Sequence, residues 1–458
     1  MRHIVSLPRS ARPIELIPVS FRIYGVLTHC ESLLISRSIE ESIAGWRACK
    51  TGLPDLGRSY SAREQTECER VADECLAQVD AVARGLRRKR LDPEEAQARI
   101  TAALVELTSC ALDLRDPYVD WLLGDGFSGV STGLARQARR MDSSVGMVDI
   151  LQAARNAWTA CGLQALLGHP VQLTPAIFAY SMLYPYSDNY LDDAALSREL
   201  KLAFSARFRQ RLEGEQPEAA NTREATIWAL VGLIEKQYAR AAYPQVYESL
   251  LAIHAAQEQS ISQLPLAGRH AELDVLRLTF TKGGTSVLAD ACLAAGRLLP
   301  EEARFAFQWG VVLQLGDDLQ DVRSDGRRGS LTLYTQAAAH NPLDEITNRT
   351  LHFGRWVMEA MDHLPSGRPV LKELLKKSSQ LLLIRSAASA NELYTEPYLK
   401  QLEAHSPFRF DFLRQREQEV AKRKRVYGAL FEDLIKVSQN ETSLPLRTFR
   451  LQNVLTRQ

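Results

Sequence analysis

From Phe305 to Leu315 the chain is apolar all the way round a helix, Gln308 and Gln314 excepted, and Asp317, Asp318 and Asp321 follow within six residues. A helix with no polar face belongs in a core. Ending such a helix in carboxylates is costly unless cations offset the charge. A second segment repeats the design. Thr174 to Leu191 is rich in Ile, Phe, Tyr, Leu and Met, and it carries Asp188, Asp192 and Asp193 at its end. The chain must therefore place two acidic helix ends where something positive can meet them.

Spacing sharpens the point. Residues four apart share a helix face, with Cβ atoms about 5–6 Å from one another. Asp188 and Asp192 form one pair. Asp317, Asp321 and Asp325 form one stripe, with Asp318 beside it. Magnesium takes oxygen ligands and keeps several waters, so carboxylates one turn apart suit it. A D-x-x-x-D pair arises by chance about once or twice in a chain of this length, and D-D-x-x-D about 0.1 times. The second cluster thus carries most of the weight. Asp188 and Asp317 are 317 − 188 = 129 residues apart, room for about five or six helices. A bundle of that size can turn its later helix to face its earlier one across a cavity.

The rest of the chain reads as helix. Period-2 runs bounded by Asn-Gly or Asp-Gly turns are missing, and segments rich in Ala, Leu, Glu, Gln and Arg dominate. Asp92-Pro93-Glu94-Glu95 and Pro300-Glu301-Glu302 are helix starts, with Pro at the first position and acids in the first turn. The first of these helices should run to about Leu114, and another spans Val148 to Leu167. A glycine-rich stretch from Gly124 to Gly133 is either a mobile loop or a close-packing connection. With 458 residues the chain exceeds the roughly 250–300 at which one core stops growing. Three regions are expected: an N-terminal helical extension (1–92), a catalytic helical domain (93–440) and a tail (441–458). Residues 1–92 suit a vestigial domain, a lid or a dimer contact, and a homodimer is carried with the last.

Composition excludes some classes. The net charge is +1, unlike the strongly basic domains that bind nucleic acid. Seven cysteines, an odd count without Cys-x-x-Cys, argue against a disulfide framework or a zinc site. No apolar run is long enough for a transmembrane helix. Met1 to Phe21 carries Arg2, Arg9 and Arg12 without a sustained apolar core, so the cytoplasm is the expected compartment.

On these residues the sequence resembles the class I isoprenoid synthases, the superfamily of polyprenyl diphosphate synthases, squalene and phytoene synthases and terpene cyclases. Leu313 to Asp321 (LQLGDDLQD) looks like the second aspartate-rich motif of polyprenyl synthases. Asp325 to Thr332 (DGRRGSLT) looks like a shortened form of its basic tail. Thr281 to Thr285 (TKGGT) looks like the lysine-bearing helix before it. Asp188 to Asp193 sits where the first motif belongs, in a form nearer to squalene synthase-like and some terpene cyclase patterns. Elongating synthases carry Arg-Arg-Gly after the first motif and a Gly-Lys-x-x-Arg-Pro motif upstream. This chain has Ala194 to Arg198 in the first place and no good copy of the second, which favours an enzyme with a single diphosphate site.

The resemblance implies an all-α, class I terpenoid synthase-like bundle around a central cavity. It also implies a magnesium-dependent terpene synthase, a carbon–oxygen lyase that ionises an allylic prenyl diphosphate and cyclises or rearranges the cation. Three magnesium ions would bridge the clusters, with Asp188, Asp192, Asp317, Asp321 and Asp325 as ligands and Asp193 and Asp318 as further catalytic carboxylates. Lys282, Arg327, Arg328 and Gln314 would bind substrate, and Arg425 to Tyr427 would add a late diphosphate contact. Going back by turns from Asp188 gives Tyr184, Ser181, Tyr180 and Ile177 on one face. From Asp317 it gives Leu313, Gly310, Trp309 and Ala306. Tyr180, Tyr184 and Trp309 offer aromatic faces to a cation, while Gly310 and Ala306 leave room. Gly283-Gly284 would break its helix and free a carbonyl. His254 reads as a structural histidine. Two rival expectations stand beside this one: a prenyltransferase, elongating or joining two prenyl units head to head, and a non-catalytic helical binding protein.

Overall fold

The computed structural model describes residues 20–193, 196–262, 274–423, 426–430 and 432, with side chains from Leu34 onward except those of Asp125, Asp192 and 260–262. Among them there is helix and no strand. The helices are α1 (Ser20–Ala48), α2 (Ala62–Arg87), α3 (Pro93–Leu112), α4 (Pro117–Trp121), α5 (Phe127–Met141), α6 (Met147–Leu166) and α7 (Pro175–Asp192). There follow α8 (Arg198–Glu213), α9 (Thr222–Gln237), α10 (Pro244–Ser262), α11 (Val275–Ala295), α12 (Pro300–Gln320) and α13 (Val322–Arg328). The chain continues through α14 (Leu333–Ala338), α15 (Asp344–Ala360), α16 (Pro369–Ser389), α17 (Glu396–Glu403) and α18 (Phe410–Lys422). None of the described helices is long and apolar enough to cross a membrane.

Local chemistry sets the starts and stops. Asp92 caps α3 by accepting from the Glu95 N–H, with Pro93 in the first turn. Thr174 caps α7 by accepting from Ile177, ahead of Pro175. Glu302 reaches back to the Leu299 N–H at the head of α12. Such caps satisfy backbone donors that a helix N-terminus leaves orphaned. Gly296, at φ +76°, ends α11 in a backbone conformation that a side chain resists. The glycine-rich stretch at 124–133 is helical: a π-helical turn, Leu122–Gly126, leads straight into α5. It is the close-packing alternative that the structure holds, since a Cβ on Gly124 would lie 2.9 Å from Thr101 Cγ2 of α3.

α11 is the axis of the molecule. From Gly283 to Ala294 nearly every residue is buried, and the helix packs against α12, α10, α6 and α1. Its tightest seam is with α12. A Cβ on Gly283 would lie 2.7 Å from the Gly310 carbonyl oxygen, and one on Gly310 would lie 2.2 Å from that of Gly283. A Cβ on Gly284 would fall 2.3 Å from Phe307 Cζ. Gly283 and Gly310 thus bring two backbones together at a distance no other residue allows, and Gly284 makes room for the Phe307 ring. Gly283 and Gly284 do not break α11, which runs unbroken from Val275 to Ala295. No carbonyl is released there, and helix packing accounts for both residues.

Residues before position 93 join the same body. Trp46 of α1 meets Phe280 of α11 and Phe353 of α15 edge-on, each 6.0 Å between ring centroids. α2 packs along α3 and is tied to α18 by the Arg416–Asp73 pair at 2.6 Å. The tail from 441 lies outside the described residues.

Candidate functional site

A cavity opens where α7, α8 and α10 lean away from the α11–α12 seam. It holds about 600 Å³ of space, part of it open to solvent. α7 supplies Tyr180, Leu183, Tyr184 and Ser187; α8 supplies Phe208 and Leu212. α10 adds Leu250, Ile253, His254 and Gln257, and the seam contributes Lys282, Ser286 and Gln314. The wall combines apolar side chains with the polar groups of Ser187, His254, Gln257, Lys282, Ser286 and Gln314.

The first acidic cluster meets the cavity lining through Gln257. Gln257 donates through Nε2 to Asp188 Oδ1 at 2.7 Å. Tyr184, one turn back from Asp188, is 39% exposed and so stands at the rim. Tyr180 lies deeper and donates its hydroxyl to the Ser286 carbonyl at 3.4 Å. Burial holds the Tyr180 phenol well above its ordinary range, so it stays protonated. The expected pair, Tyr180 and Tyr184, does line the cavity. Ser181 and Ile177 turn into the core, and Leu183 and Ser187 take their place. Pro185 sits inside α7, where its missing N–H leaves the Ser181 carbonyl without its helical donor. Asp193 is exposed at the end of α7; the Asp192 side chain lies outside the described residues.

The second cluster meets the cavity lining through Lys282 and Gln314. Asp318 is buried, 7% exposed. It accepts from Gln314 Nε2 at 2.8 Å and from Thr279 Oγ1 at 3.4 Å. Burial pushes its carboxyl up to about 6, against the lowering effect of the Gln314 hydrogen bond. Asp317 is open to solvent on one side, yet the protein around it raises its pKa, and Asp321 raises it further. Lys282 and Arg155 pull it back down. Asp325 is raised by burial and by Asp321, and lowered by Arg328 and Lys282. The stripe survives the joint between α12 and α13 because the i to i−4 bonds continue: Asp321 N–H to the Asp317 carbonyl and Asp325 N–H to that of Asp321, each 2.9 Å.

The four α12 residues expected on the wall, Leu313, Gly310, Trp309 and Ala306, lie elsewhere. Trp309 is 5% exposed and stacks on Phe305 at 5.9 Å, in the core rather than on the cavity. Gly310 faces Gly283 and leaves no room for substrate. The glycine seam is the physical reason, since it consumes the α12 face that the spacing had assigned to the cavity. Gln314 is the α12 residue that reaches it. Of the two arginines, Arg328 lies near Asp325, whereas Arg327 is exposed and gives its Nε to the Arg323 carbonyl at 3.2 Å. Arg425 lies outside the described residues. His254, read from the sequence as structural, lines the cavity with Gln257, and sequence spacing assigned no site role to Gln257 or Arg155. The signal for the first two was their i, i+3 placement, which puts them on one face of α10.

Among the described residues no three His, Cys, Asp or Glu side chains come close enough to cage one metal ion. Magnesium is typically held by one or two carboxylates together with substrate phosphates, and the donor set here has that character. It consists of carboxylate oxygens whose charge is unfavourable as it stands, with Lys282, Arg155 and Arg328 lending compensation. Comparison with protein-family models, with curated proteins and with solved structures finds no match.

Proposed function

We propose that this chain is a magnesium-dependent terpene synthase, of class I terpenoid synthase fold, acting on one allylic prenyl diphosphate. One observation carries the reading. Two acidic helix ends, far apart in sequence, each touch residues that line one cavity, Asp188 through Gln257 and Asp317 and Asp318 through Lys282 and Gln314. A prenyl diphosphate has the matching shape: a polyanionic head and an apolar tail.

The chain's residues divide the work. Asp317, Asp321 and Asp325, with Asp188 and Asp192 opposite, would hold the magnesium ions. When bound, these supply Lewis-acid stabilisation of the charge developing on the leaving diphosphate. Lys282, Arg155 and Arg328 add charge-assisted hydrogen-bond donors for the same phosphates. Gln257 and Gln314 hold Asp188 and Asp318 in orientation. Leu183, Phe208, Leu212, Leu250 and Ile253 exclude water from the tail. The protonated Tyr180 and the rim Tyr184 present ring faces to positive charge.

Incubation with C10 to C25 prenyl diphosphates and magnesium, with and without isopentenyl diphosphate, tests this. A hydrocarbon or alcohol from a single substrate supports the reading. A longer diphosphate formed only when isopentenyl diphosphate is present, or a coupled product built from two prenyl units, replaces it with prenyl transfer. No turnover of any substrate defeats both.

A further inference from the structure

A second cavity has no part in the reading above. It is lined by α12, α15, α16 and the loop between α1 and α2, and holds about 880 Å³ of space, part of it open to solvent. It shares no lining residue with the first cavity. Val312 lines one and Gln314 the other. Two residues apart on a helix, they take nearly opposite faces of α12. Ligand cavities run to about 300–1,000 Å³ and combine apolar walls with a few placed polar groups.

The wall is built rather than incidental. The loop at 51–57 has no backbone ladder of its own, and four side chains hold it by its carbonyls. Asn348 donates to Thr51 at 2.8 Å, and His352 to Gly52, Arg355 to Asp55 and Gln380 to Leu56, each at 3.0 Å. The buried lining behind it is apolar: Val312, Leu351, Met358 and Leu383. Gly354 keeps the space between them open, since a Cβ there would only touch Leu383 and Val312 at 3.6 Å.

Ser379 is the polar group inside. It is 8% exposed, and its hydroxyl has no hydrogen-bond partner among the described residues. Ser378 and Ser386 of the same helix give theirs to carbonyls a turn back, at 3.2 and 2.9 Å. The Ser379 oxygen keeps accessible surface where the residue lines the cavity. Asp55 and Glu359 stand against Arg355 and Lys376 in the lining, two charges of each sign. Arg355 pairs with Glu359 at 2.8 Å and Lys376 with Asp362 at 2.6 Å. No net field selects an ion there.

We propose that this second cavity binds a neutral amphiphile, an apolar chain ending in one hydroxyl, with Ser379 as its hydrogen-bond partner. A hydroxyl both donates and accepts, and so does Ser379. The apolar lining takes the chain, and the balanced charges leave nothing for a charged head to prefer. The site stands whether or not the protein acts on a prenyl diphosphate.

The test labels the methionine methyls of the full chain with ¹³C and titrates farnesol in the presence of a chelator, read by methyl NMR. The Met358 resonance, assigned with Met358→Leu, should shift and saturate. Ser379→Val should weaken the apparent affinity about three- to tenfold. Gly354→Leu, which fills the cavity, should abolish the shift, with the other methyl resonances reporting that the variant is folded; if it is not, Ser379→Val decides alone. A Met358 methyl that does not move, or that saturates equally in Ser379→Val, overturns the proposal. So does a response confined to Met182, which stands beside Leu183 of the first cavity. Farnesyl diphosphate shifting Met358 at lower concentration than farnesol overturns the assignment of a neutral ligand.

Discussion

The two acidic helix ends differ in how their charge is settled. At the end of α7, Asp188 accepts a direct hydrogen bond from Gln257. At the end of α12 and through α13, Asp317, Asp318 and Asp325 are raised by burial and by neighbouring carboxylates, with Lys282 offsetting part of the repulsion. The carboxylates of the second end crowd one another, and that crowding is an electrostatic strain. A cation binding at the second end relieves that repulsion. The glycine seam makes this possible, because it fixes α12 against α11 so that the strained end cannot drift apart.

The largest expected effect tests that asymmetry directly. Asp317→Asn should lower kcat/KM on a prenyl diphosphate by about 10²–10³-fold. Asp188→Asn, which keeps an oxygen for Gln257, should lose about tenfold. Equal losses at the two ends would erase the distinction.

A smaller effect concerns stability without metal. The Asp318 carboxyl titrates near 6 in the folded protein, against an ordinary 3.8. Its favourable contribution is complete below the ordinary value and is lost as pH rises through about 6. Asp318→Asn should therefore stabilise the protein at pH 7.5 by about 1–3 kcal/mol, and the gain should vanish near pH 4. Urea unfolding in the presence of a chelator measures both. A gain that is the same at the two pH values would show that charge is not its cause.

The smallest effect is on metal affinity. The raised carboxyls must lose their protons before a divalent ion can bind. Mn²⁺ affinity should then fall about tenfold from pH 7.5 to pH 5.5, as titration calorimetry would read it. The fall should shrink in Asp317→Asn and persist in Asp188→Asn if the second end is its source.

Much of this was legible in one dimension. Helix starts at Asp92-Pro93 and Pro300, the buried character of α12 and the two acidic ends all follow from local pattern. The period of 3.6 residues and the cost of a capless helix or a buried charge act within a few turns. Tyr180 and Tyr184 were reachable for the same reason, being one and two turns from Asp188 on a helix whose end was already marked. Trp309 and Gly310 were not, because their surroundings depend on which neighbour α12 meets. Three glycines, unremarkable as a string, let α11 in so closely that the supposed cavity face became a seam.

The sequence by itself determined an all-helical chain with two carboxylate-bearing helix ends, since propensity, capping and periodicity are short-range. Tertiary structure alone decided that Gln257, bonded to the first end, and Gln314, bonded to the second, line one cavity, and that Trp309 and Gly310 do not. Those outcomes depend on helices 50 to 130 residues apart in the chain. Contacts at that range are set by how close two backbones can pack, which no single helix records.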